Sequence, residues 1–436
     1  MDNLIPKFYK DYGEYSNHSR AFPLDIDGAK PIERRVLLTA YEICRDHFVK
    51  SAKLEGTTMA CYSPHASSYS TIVQLVHQGF IDGQGNFGSS IGSEPCDAAS
   101  SRYTEVKLNK ETLKIAFSLI DYVERVESEL DPEPPFLPTK FPLCLLGQEF
   151  TMGIGFGFRT FIPCYELEDL KKRMLALINK EKPSTIKPIT NCEILSSKED
   201  LENLLTIGKA TLRVKGRYKI DPLKFKIHIK SWPPGKKFET ILSLFEKELS
   251  SGEIGWVDLS AKTETDIVFE VARQRGKEEI FKKMAEKIDT VLTGNISFEI
   301  TVVDLNRKVR TASVDEMLLN TFNMYKEVNK IMLQSEITKT NEKIDEMNTL
   351  FKLKPFIQKY IKSELEVDEI IKNISSESKI DEKIVKDLFG KYTITRLLSS
   401  STDTSNLQKK VDQLKKCLIN LHDFVLKQYW CGLYIN

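Results

Sequence analysis

Asp82-Gly-Gln-Gly-Asn-Phe-Gly-Ser89, followed after a short polar linker by Ser101-Arg102-Tyr103-Thr104-Glu105, is the stretch on which the reading of this chain turns. Glycines at 83, 85 and 88 permit tight turns and close approach of backbone. No Gly-Lys-Ser or Gly-Lys-Thr follows, so the loop is not a nucleotide cradle of the P-loop kind. A tyrosine beside an arginine can be a nucleophile. Phenol normally loses its proton near pH ~10, and an adjoining fixed cation with a phosphate electrophile is the help it needs at neutral pH. With 15 tyrosines in the chain such pairs arise by chance, so the weight of this one comes from its surroundings.

Working outward, residues 1 to about 29 read as an irregular arm. It ends in the turn Asp25-Ile-Asp-Gly28, which is expected to cap a helix starting at Pro31, a favoured first helical residue. Ile32, Val36, Leu37, Ala40 and Ile43 share one face of that helix, so Arg34 and Arg35 lie off the core, free to reach a phosphate backbone or simply to be solvated. A second helix is expected over 67–78, with Tyr69, Ile72, Val73 and Val76 on its apolar face. The glycine loop then leads into a strand-like segment carrying Tyr103, an order that suggests a winged-helix unit.

The ordered series Arg20-Ala-Phe-Pro, Asp27-Gly-Ala-Lys30-Pro31, Arg34-Arg35, Lys50-Ser51-Ala52, Tyr62-Ser-Pro-His65, the glycine loop and Arg102-Tyr103 resembles a known family. It is similar to the breakage-reunion subunit of type IIA DNA topoisomerases, which includes the gyrase A protein, its topoisomerase IV counterpart and the medium subunit of tailed-phage enzymes. Matching blocks run from about residue 12 to about 310, and the Asp-Gly-Gln-Gly-Asn-Phe-Gly-Ser string is highly specific. The resemblance implies that Tyr103 attacks a DNA phosphodiester, with Arg102 shielding charge on the non-bridging oxygens and Arg20 and His65 completing the protein shell. Lys30 and Arg35, with Arg34, would hold neighbouring phosphates. Relatives usually carry a histidine where this chain has Ser63, which leaves open a second reading: a DNA-binding or scaffolding relative that has lost cleavage.

Proline-rich 132–142 marks a second domain. Within it Gly153-Ile-Gly155-Phe-Gly157 and Thr160-Phe-Ile-Pro163 resemble the family's segment of alternating glycines. By that match Ile154 is an apolar wedge between base pairs, while the residues alone equally allow a buried strand isoleucine. From 205 to 305 strands (210–220, 224–229, 266–272) alternate with a helix (238–249) in α/β layering. Lys226, Lys230, Lys236 and Lys237 are either phosphate contacts or a solvated face. From 313 the pattern is long-helical: Leu318, Phe322, Tyr325, Val328, Met332, Ile337, Ile344, Met347 and Phe351, then Leu407 to Val425 at four-three spacing. Two seams around an insert of about 360–400 fit either the family's dimer gate or an ordinary helical hairpin.

The expected architecture is therefore α+β multidomain: arm 1–29, winged-helix cleavage domain 30–135, α/β tower (shoulder) domain 136–312, and coiled coil with a small helical dimer gate 313–436. A net charge of +1 gives no global attraction to nucleic acid, so affinity for double-stranded DNA must come from local clusters. The eight cysteines show no Cys-x-x-Cys spacing, which argues against a zinc module. No run approaches the ~20 apolar residues of a membrane span, so no membrane partner is expected, and the location expected is the cytoplasm, at a nucleoid or viral replication site. No metal site of its own and no ATPase motif is read in the chain. Mg²⁺ and ATP are expected on a separate gyrase-B-like Toprim/ATPase subunit, the assembly being a heterotetramer around a homodimer of this chain. No repeated strand domain follows the helices, so the expectation is relaxation and decatenation rather than negative supercoiling.

Overall fold

The computed structural model describes residues 4–431, apart from 65–66, 149, 247–253, 262–263, 272–275, 361–364 and 394–403. These fall into two compact units, residues 1–325 and 326–436.

The first unit opens on a helix where an irregular arm was expected. Helix α1 (Leu4–Ser16) passes into a π-turn, Asn17–Ala21, before the chain straightens at Phe22. Tyr9 and Tyr12 meet the ring of Phe156 edge-on, at centroid distances of 5.6 and 5.7 Å. The partner that orders this helix lies far along the chain, which is why local periodicity did not disclose it. Helix α2 (Pro31–Ile43) starts at Pro31 as expected, but its cap is not Asp27. Glu33 accepts the Lys30 N–H at 2.9 Å, the reciprocal arm of a capping arrangement. Asp27 is fully buried and accepts instead from the backbone of Ala29 (2.9 Å) and Leu137 (3.0 Å) and from Arg34 Nε (2.8 Å).

Strand β1 (Val49–Lys50) leads into α3 (Ser51–Cys61), then α4 (Tyr69–His77), β2 (Ile81–Gln84), β3 (Glu105–Leu108) and α5 (Lys110–Ala116). The three strands form an antiparallel sheet in the order β1-β3-β2, with Val49 opposite Val106 and Ile81 opposite Leu108. Tyr103 is not in a strand: it stands in the turn just before β3, where strand pairing has yet to begin.

A five-stranded antiparallel sheet follows, in the order β4-β5-β12-β7-β6: β4 (Phe150–Ile154), β5 (Arg159–Pro163), β6 (Glu193–Ile194), β7 (Lys209–Lys215) and β12 (Thr293–Glu299), with α6 (Leu167–Ile178) and α7 (Lys198–Thr206) between them. The single strand expected over 210–220 is two. At Gly216 a Cβ would sit 2.2 Å from the Ser231 carbonyl oxygen, and there the chain leaves the first sheet to begin a second. That sheet runs β10-β11-β9-β8, with β8 Tyr218–Asp221, β9 Lys226–Ile229, β10 Ile254–Asp258 and β11 Ile267–Val271. Helices α8 (Phe238–Glu246) and α9 (Lys277–Leu292) cover it, burying Ile227, Phe245, Phe269, Met284 and Ile288 together. The hairpin β13 (Thr301–Val303) and β14 (Val309–Thr311) closes this part. Arg310 pairs with buried Asp25 at 2.6 Å, and desolvation holds that carboxyl above its ordinary range.

Helix α10 (Val314–Tyr360) carries the expected seam through Leu318, Phe322, Tyr325, Val328 and Ile344, all buried. Phe351 is exposed, and Leu350 and Leu353 are buried instead, because a straight helix drifts away from a 3.5-residue repeat. In the second unit Leu350, Leu353 and Ile357 form one core with Ile371 and Ile374 of α11 (Val367–Ser378) and Val385 and Leu388 of α12 (Glu382–Lys391). The returning segment is α13 (Ser405–Ile419) and α14 (Leu421–Cys431), broken at Asn420, with Val411 and Val425 buried and Lys410 3.6 Å from Glu336. Among the described residues no helix is long and apolar enough to cross a membrane.

Candidate functional site

The glycine loop is held from several sides. His77 Nε2 lies 2.8 Å from the Phe87 carbonyl oxygen, and Asn109 Nδ2 donates to Asp82 Oδ1 at 2.7 Å. Gly85 has a φ of +112° and Gly88 a φ of +79°, values that favour glycine, and at Gly88 a Cβ would fall 2.3 Å from the Cys96 carbonyl oxygen. The loop therefore lies flat against the linker that follows. Ser89 and Cys96 exchange two backbone hydrogen bonds of 2.8 Å, and Ala99 N–H donates to Asn86 O at 2.9 Å.

Tyr103 emerges from this brace 65% exposed. Its N–H donates to Ser100 O at 2.8 Å, and the guanidinium carbon of Arg102 sits 4.8 Å from its ring centroid. A fixed cation over the aromatic face and an open approach to the hydroxyl are what a phosphate-directed nucleophile requires. Behind it, Thr104 is buried and donates to Ser51 Oγ at 2.8 Å, which links the turn to the start of α3.

Arg20, exposed in the π-turn, lines an open cleft of about 610 Å³ together with Arg34, Arg35, Ser63 and Ser67. Tyr103 and Arg102 do not line it. Arg34 is tied to Asp27 and Arg35 is held by Glu133, which accepts at 2.9 Å from Nε and 2.6 Å from Nη2. The Glu133 bond raises the Arg35 pKa further. Ser63 is 9% exposed, and His65 lies outside the described residues. Next to it Tyr62 donates to Glu42, and burial with that bond pushes its hydroxyl up to about 12.

Lys30 Nζ donates to the Met152 carbonyl oxygen in β4, close to Ile154. Ile154 is 88% exposed, which removes the reading as a buried strand residue. The alternating glycines explain how. A Cβ at Gly153 would lie 2.1 Å from Ala21 O and one at Gly155 2.2 Å from Asn17 Oδ1, so the face of β4 toward the π-turn must be bare, and the residue between them projects the other way. Asn17 secures this contact by accepting from Phe156 N–H (2.7 Å) and donating to Phe156 O (3.0 Å). Lys226 and Lys230 are ion-paired, with Glu270 and with Glu264 and Asp266. Lys236 donates to Thr293 O at 2.9 Å. The roles of Glu133 and Asn17 carried no sequence signal beyond the Pro-Glu-Pro and Arg-Ala-Phe-Pro contexts. Among the described residues no three His, Cys, Asp or Glu side chains converge to hold a metal ion.

Compared with known proteins, residues 20–432 match the family of the DNA gyrase/topoisomerase IV A protein. The chain is 26% identical to the A protein of DNA topoisomerase 4 from Neisseria gonorrhoeae over 71% of its own length and 46% of that protein's. It is 29% identical to the DNA gyrase A protein of Buchnera aphidicola (73% and 41%), and 26% identical to that of Ureaplasma parvum (94% and 50%). The chain thus spans half or less of the length of these relatives. With the family's match covering nearly the whole sequence, the chain belongs to the DNA gyrase/topoisomerase IV A-protein family.

Proposed function

We propose that this chain is the DNA cleavage and religation subunit of an ATP-dependent type II topoisomerase, working as a homodimer on double-stranded DNA. The observation that carries the reading is the exposed Tyr103 beneath the Arg102 guanidinium, on a turn braced by the glycine loop. The phenolic oxygen gives up its proton and attacks phosphorus, the bond from phosphorus to the 3′ oxygen breaks, that oxygen takes up a proton and leaves as a 3′-hydroxyl, and the 5′ end stays esterified to Tyr103. One phosphodiester is exchanged for another, so the reverse attack reseals the strand with no nucleotide spent on ligation. Arg102, Arg20 and His65 meet the charge of the transition state, Lys30, Arg34 and Arg35 the adjacent backbone, and Ile154 enters the stack where the duplex bends.

The four helices α2 to α5 and the three-stranded sheet next to Tyr103 support a winged-helix domain over 30–135. The two antiparallel sheets support a tower over 136–312, and the helices after 313 a coiled coil with a dimer gate. Mg²⁺ and ATP come with a gyrase-B-like Toprim/ATPase subunit, and the products are relaxed and decatenated circles, formed in the cytoplasm. The test mixes chain, partner subunit, ATP, Mg²⁺ and supercoiled plasmid, then denatures. Protein-linked DNA is expected, and Tyr103→Phe abolishes it. Ser63 in place of histidine, with Arg34 and Arg35 already held by carboxylates, favours the second reading of a cleavage-deficient DNA-binding relative, which binds duplex and yields no adduct from the unaltered chain.

A further inference from the structure

The linker between the glycine loop and Tyr103 has an anchor outside its own sheet. Asp258, the last residue of β10, accepts through Oδ2 from Ser93 N–H at 2.7 Å and from Ser93 Oγ at 2.8 Å. Its other oxygen accepts from Ser260 N–H at 2.9 Å, so the carboxylate is fixed in orientation by both ends. Gly92 makes room for it: a Cβ there would lie 2.8 Å from Asp258 Oδ2, and its φ is +97°. Against the upward push of desolvation, the Ser260 side chain and backbone together with Ser93 hold the Asp258 carboxyl at about 2, below the usual carboxylate range. From Ser93 ten residues lead to the nucleophile, and hydrogen bonds pin them at several points. Ser89 and Cys96 form the ladder on either side of it, Ala99 is tied to Asn86 and to the Tyr69 hydroxyl, and Ser100 O receives the Tyr103 N–H.

We propose that Asp258 is a positioning residue for strand cleavage: it fastens the loop that ends in Tyr103 to the sheet β10-β11-β9-β8, whose strand β9 presents Lys226 and, just beyond it, Lys230. A duplex arm lying on that sheet and the hydroxyl that attacks the duplex are thereby held in one frame. Reaction geometry is steep in position, a misplacement of about 1 Å being enough to cost on the order of a hundredfold in rate. Loss of the anchor therefore lowers cleavage far more than it lowers DNA binding.

The inference rests on the proposed cleavage activity, and the experiment separates the two. Full-length chain, assembled with its gyrase-B-like partner, is assayed for covalent adduct on supercoiled plasmid and for duplex affinity, alongside Asp258→Ala, Asp258→Asn and Gly92→Val. Adduct formation is expected to fall about tenfold or more in Asp258→Ala and Gly92→Val with affinity unchanged. Asp258→Asn, which keeps one acceptor for Ser93, recovers most of it. Hydrogen exchange at the Ser93 amide speeds up in Asp258→Ala and Gly92→Val, while unchanged protection of the amides in the sheets checks that the rest of each chain is folded. Wild-type adduct levels in Asp258→Ala overturn the inference, as does an equal loss of affinity and adduct. Absence of adduct from the unaltered chain overturns the cleavage activity itself.

Discussion

Arg34 and Arg35 are adjacent in sequence and held by different carboxylates. Arg34 compensates Asp27, which is wholly buried, so Arg34→Ala strands a charge in the interior. Two backbone N–H groups still reach Asp27, which puts the expected loss near the low end for a broken buried pair, about 3 kcal/mol, read by urea denaturation. Arg35 faces the cleft, and Glu133 occupies its guanidinium as a phosphate would. Glu133→Gln weakens that hold, so duplex affinity is expected to rise, while Arg35→Ala should make the slope of log K against log salt shallower by about 0.9, one phosphate contact fewer. An unchanged slope would take Arg35 out of the DNA interface. At this scale the sequence disclosed which residues carry charge and which can attack, because side-chain chemistry is local. It did not disclose Glu133, Asn17 or Asp258 as partners, since each meets its counterpart from 98 to 165 residues away.

Helices with a strong apolar stripe were legible as elements: α2, α4 and the seam of α10 lie where periodicity puts them. Helix α1 and the break at Gly216 were not, because their cause is a distant surface rather than a local pattern. Glycine illustrates the difference. Gly79 and Gly88 have nearly the same φ, +82° and +79°, yet a side chain at 79 meets open space and one at 88 meets the Cys96 carbonyl. Gly79→Ala is expected to cost about 1 to 2 kcal/mol, the backbone strain alone. Gly88→Ala adds displacement of the linker and should also depress adduct formation, whereas Gly79→Ala leaves adduct intact at equal temperature below its melting point. Equal losses of adduct in the two variants would mean that the loop's close approach to the linker has no bearing on Tyr103.

For the whole molecule, the proposed homodimer, with one Tyr103 nucleophile per chain, makes a stoichiometric prediction. Assemblies mixing unaltered chains with Tyr103→Phe chains should yield nicked circles from mixed dimers and linear DNA from unaltered ones, in proportions set by random pairing. Linear product from purified mixed dimers would show that one tyrosine serves both strands. A net charge of +1 over 436 residues means that nothing draws DNA to the chain from afar, so recognition depends on where the cations are assembled.

The bare face of β4 separates two freedoms. Gly153 and Gly155 are locked to the π-turn by contacts that admit no side chain, while Ile154 between them touches little of its own protein. Exchanging Ile154 for a longer, shorter or polar residue is therefore expected to leave the fold untouched and to alter only what the surface offers there. The address of that side chain is set by the backbone and its identity is not, so under the proposed function a change at this one position is expected to alter DNA bending in the complex while leaving the turn that carries Tyr103 as it is.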